Sequence, residues 1–250
     1  LKTEHMNEKT MQSMKEMRLY GMHRAFTTTM ETGGPSTGYT NDELIAYLVQ
    51  SEWDDRHNRR IERLTKSARF RYTAVMEAID YRPSRQLDKN LVRRLGSCGF
   101  IQKRENILIT GSTGVGKSYL ASAIGHQACS MGSKTMYFNT AKLFTLLKTS
   151  KADGSYPKQI NKLEKQDLLI LDDFGLKPLD NINRHALMEI IEDRHGKKST
   201  IIASQLPVSK WHDIIGEKTL ADAILDRLVH TAHRIDIKGE SMRRKLKNKN

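Results

Sequence analysis

Residues 111–118, with the sequence GSTGVGKS, have the types and spacing needed to hold a phosphate chain. The three glycines allow a tight backbone turn whose N–H groups point toward phosphate oxygens. Lys117 is long enough to reach a β- or γ-phosphate, and Ser118 can offer its hydroxyl to Mg²⁺. We therefore predict that this loop binds ATP together with Mg²⁺. The predicted nucleotide-binding residues are Gly111, Ser112, Thr113, Gly114, Val115, Gly116, Lys117, Ser118 and Tyr119.

Two adjacent carboxylates form a second chemical feature. Asp172 and Asp173 come directly after an apolar run at 168–171. In our interpretation Asp172 holds Mg²⁺, and Asp173 orients or deprotonates the water that attacks the γ-phosphate. An alternative stays open at this point, because two aspartates can also cap the turn that Phe174 and Gly175 predict.

A third polar pair follows another apolar run, at 200–203. The side chains of Ser204 and Gln205 are predicted to lie between the carboxylates and the γ-phosphate, since parallel strands end at the same edge of a sheet. Gln205 is the first choice for a residue that senses the γ-phosphate, and Ser204 is the second. An ordinary turn at the end of the strand is the alternative.

The elements that must position these residues form an α/β pattern. Strands are predicted at 106–110, 135–139, 168–171, 200–203 and 234–237, and helices at 117–131, 141–149, after 156, at 184–195 and at 220–229. This alternation is typical of a mostly parallel sheet flanked by helices. A strand before the glycine loop and a helix after it are the context that a phosphate-binding loop requires.

Residues 1–95 have a different, helical character. Apolar residues recur at helical spacing after a capping sequence at 40–43, a loop is expected at 33–36, and a short helix is expected at 89–95. The predicted organisation is a small all-helical N-terminal domain at 1–95, a nucleotide-binding domain at 96–240 and a basic tail at 241–250.

The net charge of +13 is concentrated in two segments. Residues 56–94 contain 12 Lys and Arg against 4 Asp and Glu, and residues 238–250 contain 6 against 1, so these segments carry the whole excess. Such concentration predicts a partner that is a polyanion, and we favour duplex DNA over a merely solvated helix face. No base-reading motif is present, which predicts little sequence specificity. The candidate DNA contacts are Arg56, Arg59, Arg60, Arg63, Arg69, Arg71, Lys142 and Lys148.

Several classes of protein are disfavoured by composition. No apolar run reaches the length of a membrane-spanning helix, and the N-terminus lacks the pattern of a signal peptide. Cys98 and Cys129 are predicted to be free thiols, and no residues have zinc-ligand spacing. A cytoplasmic protein is the resulting expectation.

The chemistry-bearing segments resemble a known family. The loop at 111–118, the strand and carboxylates at 167–175, and residues 203–207 are similar to the AAA+ ATPases of the DnaC-type helicase loaders. Residues 223–230 and 238–244 resemble more closely IstB, the helper ATPase of insertion-sequence transposition. The resemblance implies an AAA+ core without the usual C-terminal helical lid.

The resemblance also assigns roles to arginines. Arg227 matches the finger that reaches the γ-phosphate of a neighbouring subunit, and Arg243 or Arg244 resembles the second sensing arginine. Arg194 is a weaker candidate for the subunit interface. Asp173 stands where many AAA+ members have Glu, and its shorter side chain predicts slow hydrolysis.

The function that the resemblance implies is an ATP-dependent regulator. It would form a homo-oligomeric ring or spiral on duplex DNA, bend the DNA, and deliver it to a partner transposase that it activates. A loader of a replicative helicase is the first alternative, because it would share the same core. A DNA scaffold that uses ATP only as structural glue is the second.

Overall fold

The computed structural model describes residues 2–32 and 38–242. The chain divides into two compact units, with the boundary between Arg63 and Leu64. No helix in the described ranges combines the length and the apolar character that crossing a membrane requires.

The described part of the first unit forms three helices: α1 (Lys2–Glu16), α2 (Tyr20–Glu31) and α3 (Asn41–Ala68), whose last turn belongs to the second unit. The predicted cap of α3 is confirmed, since Thr40 and Glu43 exchange side-chain and backbone hydrogen bonds. Buried Glu52 accepts hydrogen bonds from the backbone N–H groups of Gly21 and Met22, at 2.8 and 3.2 Å. These bonds satisfy free donors in the first turn of α2 and fix that helix to α3.

The second unit is built on a five-stranded sheet in the order β2-β3-β4-β1-β5, and every neighbouring pair is parallel. The strands are β1 (Asn106–Gly111), β2 (Thr135–Asn139), β3 (Leu168–Phe174), β4 (Ser199–Ser204) and β5 (Ala232–Ile237). The helices are α4 (Lys89–Gly96), α5 (Gly99–Gln102), α6 (Lys117–Ser130), α7 (Thr140–Ala152), α8 (Tyr156–Glu164), α9 (Asn181–Arg194), α10 (Trp211–Ile215) and α11 (Lys218–Val229).

Both faces of the sheet are covered by an apolar layer. Ile107 and Ile109 contribute to the layer that contains α6, whereas Leu108, between them, contributes to the layer that contains Trp211 and α11. Strands β1, β3 and β4 are buried on both faces, so their sequences are apolar runs rather than alternating patterns. The edge strand β5 instead alternates buried Ile235 and Ile237 with exposed Arg234 and Asp236. All five predicted strands are confirmed.

The structure adds elements that the sequence did not indicate. Two short helices, α5 and α10, and a 3-10 turn at Pro83–Arg85 have no clear periodic pattern. The third strand also extends past its apolar run to Phe174, so that Asp172 and Asp173 lie within β3.

Residues 64–95 belong to the unit that contains the sheet. Ala74, Ile79, Val92 and Leu95 are part of the apolar layer on the α6 face. The boundary between the compact units therefore lies about thirty residues before the one predicted at residue 95. A functional division at 95 stays a prediction. Beyond β5, the described residues 238–242 contain no helical lid.

Both cysteines are free and buried, as predicted. Burial raises the pKa of the Cys98 thiol to about 11 and also raises the pKa of the Cys129 thiol. Both are therefore protonated at neutral pH and are poor nucleophiles.

Candidate functional site

The predicted site residues meet at the carboxyl edge of the sheet. The glycine loop follows β1, the two aspartates lie near the end of β3, and Gln205 follows β4, so parallel pairing brings the three groups together. Residues of all three groups line one cavity of about 640 Å³, to which β3 contributes Asp173. The lining includes Arg71, Asp80, Arg85, Thr113, Gly114, Gly116, Lys117, Ser118, Tyr119, Asp173 and Gln205.

The loop has the backbone that its glycines predict. Gly111, Gly114 and Gly116 have φ values of 142°, 84° and 98°, in the region that favours glycine. A Cβ atom on Gly111 would lie 2.2 Å from the carbonyl oxygen of Ile237, so no larger residue fits there. Helix α6 begins at Lys117, which directs its positive dipole end at the loop. Lys117 is buried, and its Nζ donates to Ser112 O at 2.8 Å within the loop.

A second set of contacts stabilises the loop. The guanidinium of Arg85, which is buried, donates to the carbonyl oxygen of Val115 in the loop. Its Nη1 lies 3.7 Å from Asp80 Oδ2. Hydrogen bonds from Arg82 hold the pKa of Asp80 down at about 2, so this carboxylate is ionised. Met242 N also donates to Gly114 O, at 2.9 Å.

None of the residues that form these contacts was predicted. Arg85, Asp80 and Arg82 belong to the irregular segment that links α3 to α4, where the sequence offers basic residues and one proline but no spacing that indicates a contact with the loop. Only the tertiary structure brings the guanidinium of Arg85 within hydrogen-bond distance of the Val115 carbonyl oxygen.

Asp172 is completely buried, and its two oxygens have separate partners. Oδ1 accepts from Ser118 Oγ at 2.9 Å, and Oδ2 accepts a short hydrogen bond from the hydroxyl of Tyr137. Burial and the neighbouring Asp172 raise the pKa of Tyr137, so its hydroxyl is a donor at neutral pH. The carboxylate of Asp172 thus contacts the glycine loop instead of capping the turn after β3.

Asp173 occupies a strained position beside it. Its φ of 56° lies in the left-handed region, which costs a non-glycine residue on the order of 1 kcal/mol. Its Oδ2 accepts from Asn139 Nδ2 at 3.0 Å and from Arg71 Nη1 at 3.1 Å. Arg71 Nη1 also lies 3.7 Å from Asp172 Oδ2. Arg71, predicted as a DNA contact, is therefore placed at the two carboxylates.

Ser204 and Gln205 differ in what their side chains can do. Ser204 is fully buried, and its hydroxyl donates to Phe174 O and accepts from Leu206 N. Gln205 lines the cavity and accepts a 2.7 Å hydrogen bond from Thr113 Oγ1. Of the two candidates for sensing a phosphate, the geometry favours Gln205.

Arg227 lies at the opposite edge of the sheet. Its carbonyl oxygen accepts from Nδ2 of Asn106, the first residue of β1, whereas the glycine loop starts at the other end of that strand. Those ends are roughly 16 Å apart at 3.3 Å per residue. The Arg227 side chain forms a 2.6 Å ion pair with Glu192.

The other arginines to which the resemblance gave roles are Arg194, Arg243 and Arg244. Arg194, considered for the subunit interface, is instead buried, and its guanidinium donates to Leu163 O, Gln166 O and the Thr200 hydroxyl. Burial lowers its pKa to about 10, which leaves it charged at neutral pH. It is a structural residue because those bonds satisfy its donors inside the unit. Arg243 and Arg244 lie outside the described residues.

The basic candidates for DNA contact have different surroundings. Arg56 and Arg59 form ion pairs with Glu52 and Asp55, at 2.6 Å each, although their side chains stay 58% and 44% exposed. The other candidates outside the nucleotide cavity are exposed. They are Arg60 and Arg63 on α3, Arg69 after it, and Lys142 and Lys148 on α7.

The donor set at the loop fits Mg²⁺. The Ser118 hydroxyl and the Asp172 carboxylate are hard oxygen ligands that lie 2.9 Å apart. Within residues 2–32 and 38–242 no group of three His, Cys, Asp or Glu side chains could hold a metal by itself. A Mg²⁺ ion here would therefore take its remaining ligands from phosphate oxygens and water, as is usual for this ion.

The sheet, the loop and the carboxylates place the chain in the AAA+ class of P-loop proteins. It is similar to the solved structure of DnaI, with a TM-score of 0.58 and 22% identity over 66% of this chain and 92% of that chain. It is also similar to the DnaC helicase loader, with a TM-score of 0.52 and 24% identity over 60% and 87% of the two chains. AMPPCP-bound DnaA from Aquifex aeolicus gives a TM-score of 0.57 at 19% identity, over 72% and 55%. These likenesses show the fold.

Sequence comparison defines the family. A sequence model of the IstB-like ATP binding proteins matches residues 12–250, and the chain belongs to that family. A putative insertion sequence ATP-binding protein, y4pL of Sinorhizobium fredii, is 45% identical over 96% of this chain and 98% of its own length. The putative ATP-binding protein of insertion sequence IS21 from Pseudomonas aeruginosa is 32% identical over 83% of this chain and 78% of its own.

Proposed function

We propose that this protein is a Mg²⁺-dependent ATPase that assembles on duplex DNA and assists a transposase. One observation carries the enzymatic part of the proposal. The glycine loop with buried Lys117, the Ser118–Asp172 hydrogen bond and the carboxylate of Asp173 meet at one edge of the sheet. A nucleotide-holding group, a metal ligand and a base candidate are the parts that ATP hydrolysis requires.

Each residue then has a specific task. The backbone N–H groups of the loop and Lys117 hold the phosphates, and Asp173 orients a water and accepts its proton as the water oxygen bonds to the γ-phosphorus. The bond from that phosphorus to the β–γ bridging oxygen breaks, which releases ADP and phosphate. Ser118 and Asp172 would hold Mg²⁺, which would neutralise charge on the phosphate oxygens.

Two features of Asp173 support slow hydrolysis. Its side chain is one methylene shorter than Glu, so it reaches less far toward a water at the γ-phosphate. Arg71 and Asn139 both donate to its Oδ2, so a water must compete with these two donors for that oxygen. Slow turnover suits a protein that times an assembly step better than it suits a processive motor.

The position of Arg227 supports assembly. It lies near the amino end of β1, whereas the loop follows the carboxyl end of the same strand, so it is remote from its own phosphate site. It is also partly exposed and paired with Glu192, which is itself exposed. We infer that Arg227 reaches the γ-phosphate on an adjoining copy of the chain, where an arginine stabilises the charge of the transition state. ATP would thus bridge neighbouring subunits in a ring or spiral.

The basic segments support the DNA part of the proposal. Arg56, Arg60 and Arg63 recur at i, i+4 and i+7 on α3 and therefore share one side of that helix. Lys142 and Lys148 are exposed on α7. Single phosphate contacts are weak and depend on salt, but subunits linked by ATP make many of them together.

The relatives support the choice of partner. The y4pL and IS21 proteins are named for insertion sequences, and both match at higher identity than the helicase loaders do. We therefore favour a transposase as the partner. Capture of the DNA-bound protein by a transposase supports this choice, whereas selective capture by a hexameric helicase would favour the loader.

We expect DNA binding to weaken steeply with salt. If each bound subunit contacts at least about three phosphates, the logarithm of the association constant for DNA falls with the logarithm of the salt concentration with a slope of about −3 or steeper. Fluorescence anisotropy of labelled duplex, with and without a non-hydrolysable ATP analogue, measures it. The double change Arg60→Ala and Arg63→Ala should make the slope shallower by about 0.9 for each phosphate that the variant leaves unneutralised.

The matched control removes two exposed positive charges elsewhere. Lys158→Ala with Lys162→Ala, on α8, lies outside the basic segments and should leave the slope unchanged. If DNA binding by the parent protein does not depend on salt concentration, either with or without the nucleotide, the proposal of DNA binding through phosphate contacts is contradicted. Equal effects of the two double changes remove the assignment to α3.

A further inference from the structure

We propose that Arg71 binds the γ-phosphate of the nucleotide held by its own chain, and so distinguishes ATP from ADP. The inference rests on the proposed nucleotide site and adds a residue that precedes the sheet. Arg71 follows α3 and lines the same cavity as Lys117 and Ser118. Its side chain is 40% exposed, so the guanidinium is accessible to a ligand in that cavity.

The residues on both sides of Arg71 are fixed to α6, the helix that starts at Lys117. The centroids of the Phe70 and His126 rings lie 4.2 Å apart. The Phe70 ring also packs closely on Gly125, where an added Cβ atom would lie 2.4 Å from Phe70 Cε1. His126 Nε2 lies 3.1 Å from Tyr72 O, which accepts when that nitrogen carries the proton. The backbone of Arg71 is thereby held at a set distance from the phosphate loop. Phe70 and Tyr72 themselves pack against the apolar layer on the α6 face.

The guanidinium faces the end of the site where a third phosphate would lie. Ser118, the metal ligand of the loop, contacts Asp172 Oδ1, while Arg71 Nη1 lies 3.7 Å from the other oxygen of the same carboxylate. Arg71 also contacts Asp173, the base candidate, at 3.1 Å. Mg²⁺ held by Ser118 and Asp172 would neutralise charge on the β- and γ-phosphate oxygens. A cation placed between that metal site and the base is therefore close to the γ-phosphate and farther from the α-phosphate.

The chemistry of arginine suits this position. A guanidinium has five N–H donors in one plane, and the contacts to Asp172 and Asp173 both use Nη1. The same group can therefore bind a carboxylate on one side and phosphate oxygens on another. The Tyr72 ring, whose centroid is 5.5 Å from Arg71 Cζ, helps to orient its plane.

A purely structural role makes a different prediction. If Arg71 only balances the charge of two neighbouring carboxylates, its loss would affect ATP and ADP equally, because both nucleotides share the loop, the metal ligands and the β-phosphate. Binding of the γ-phosphate predicts instead a loss that is confined to ATP. The ratio of the two dissociation constants therefore separates the two roles.

The test measures ATP and ADP affinity by displacement of a fluorescent nucleotide, with Mg²⁺ present, without DNA, and at protein concentrations too low for assembly. We expect Arg71→Ala to weaken ATP binding about tenfold, equivalent to about 1.4 kcal/mol, with less than about twofold change for ADP. Arg71→Lys should retain part of the preference for ATP over ADP. Lys103→Ala, which removes an exposed charge before the amino end of β1, should behave as the parent.

Two results would overturn the inference: equal weakening of ATP and ADP in Arg71→Ala, or no change in either. Thermal melting of Arg71→Ala identifies a variant that fails to fold, and Arg71→Lys then decides the matter by the same ratio. Failure of the proposed function looks different, since the parent protein would then bind neither nucleotide.

Discussion

Replacement of Arg227 by Ala is expected to lower the rate of ATP hydrolysis by about 10³-fold, while a single subunit binds ATP as the parent does. The reason is geometric. Arg227 is near the amino end of β1 and the phosphate loop follows the carboxyl end, so its charge can act only on the nucleotide of a neighbour. The measurement is steady-state phosphate release with DNA, paired with ATP binding by dilute protein.

Mixing two inactive variants provides the control for a role between subunits. Arg227→Ala has an intact loop, and Lys117→Ala has an intact Arg227, so some interfaces in a mixture contain one complete site. We expect the mixture to recover a measurable part of the parent rate, although each variant alone is inactive. No recovery, together with normal assembly of both variants, would contradict a shared site. Full activity of Arg227→Ala would contradict the role of that residue.

The second large effect is expected from Asp173→Asn. Of the two carboxylates that end β3, Asp173 is the one that lines the cavity, so its loss should lower kcat by about 10³-fold, within the range for a general base. ATP binding should be kept or strengthened, since one negative charge near the γ-phosphate is removed. Complexes on DNA should then persist after ATP addition, as measured by their dissociation rate.

A matched change separates this effect from a general loss of charge. Asp222, on α11, has a side chain that is 65% exposed. Asp222→Asn removes a carboxylate of the same kind and should leave the rate of ATP hydrolysis unaltered. If Asp173→Asn loses ATP hydrolysis but still dissociates from DNA at the parent rate, then ATP acts only as structural glue. That outcome would select the scaffold interpretation of the same fold.

The sheet and its loop were predictable because their signals are local. A strand buried on both faces must be an apolar run, and the loop of residues 111–118 needs glycines at positions that its φ values now explain. The edge at which Asp172 and Gln205 meet the loop followed from the parallel order of the strands. Those inferences need no knowledge of side-chain packing.

Other features depended on contacts between distant segments. The resemblance made Arg194 a candidate for the subunit interface, yet carbonyl oxygens of α8 and of the turn after it accept hydrogen bonds from its buried guanidinium. Arg71 was grouped with the DNA candidates because charge alone cannot show that its guanidinium turns toward Asp173. Tyr137 and Arg85 have partners 35 and 30 residues away, and no sequence periodicity predicts such pairs.

Local and distant signals also conflicted at the segment 64–95. Its helical composition favoured a place in the N-terminal domain, whereas Ala74, Ile79 and Val92 bury their side chains in the layer beside the sheet. Helix propensity can favour a helix, but it does not determine which unit a segment packs against. Burial of apolar surface, at about 25 cal/mol per Å², determines that here. The same segment supplies Arg85, whose guanidinium donates to the loop carbonyl oxygen of Val115.

The central claim is tested most directly by the affinity of the dilute protein for ATP with Mg²⁺, compared between the parent and Lys117→Ala. We predict that the variant binds ATP about 100-fold more weakly, or about 2.8 kcal/mol, while Lys210→Ala, an exposed lysine, binds as the parent does. Equal affinity of the parent and Lys117→Ala would contradict the account, because the loop would then not be what holds the nucleotide.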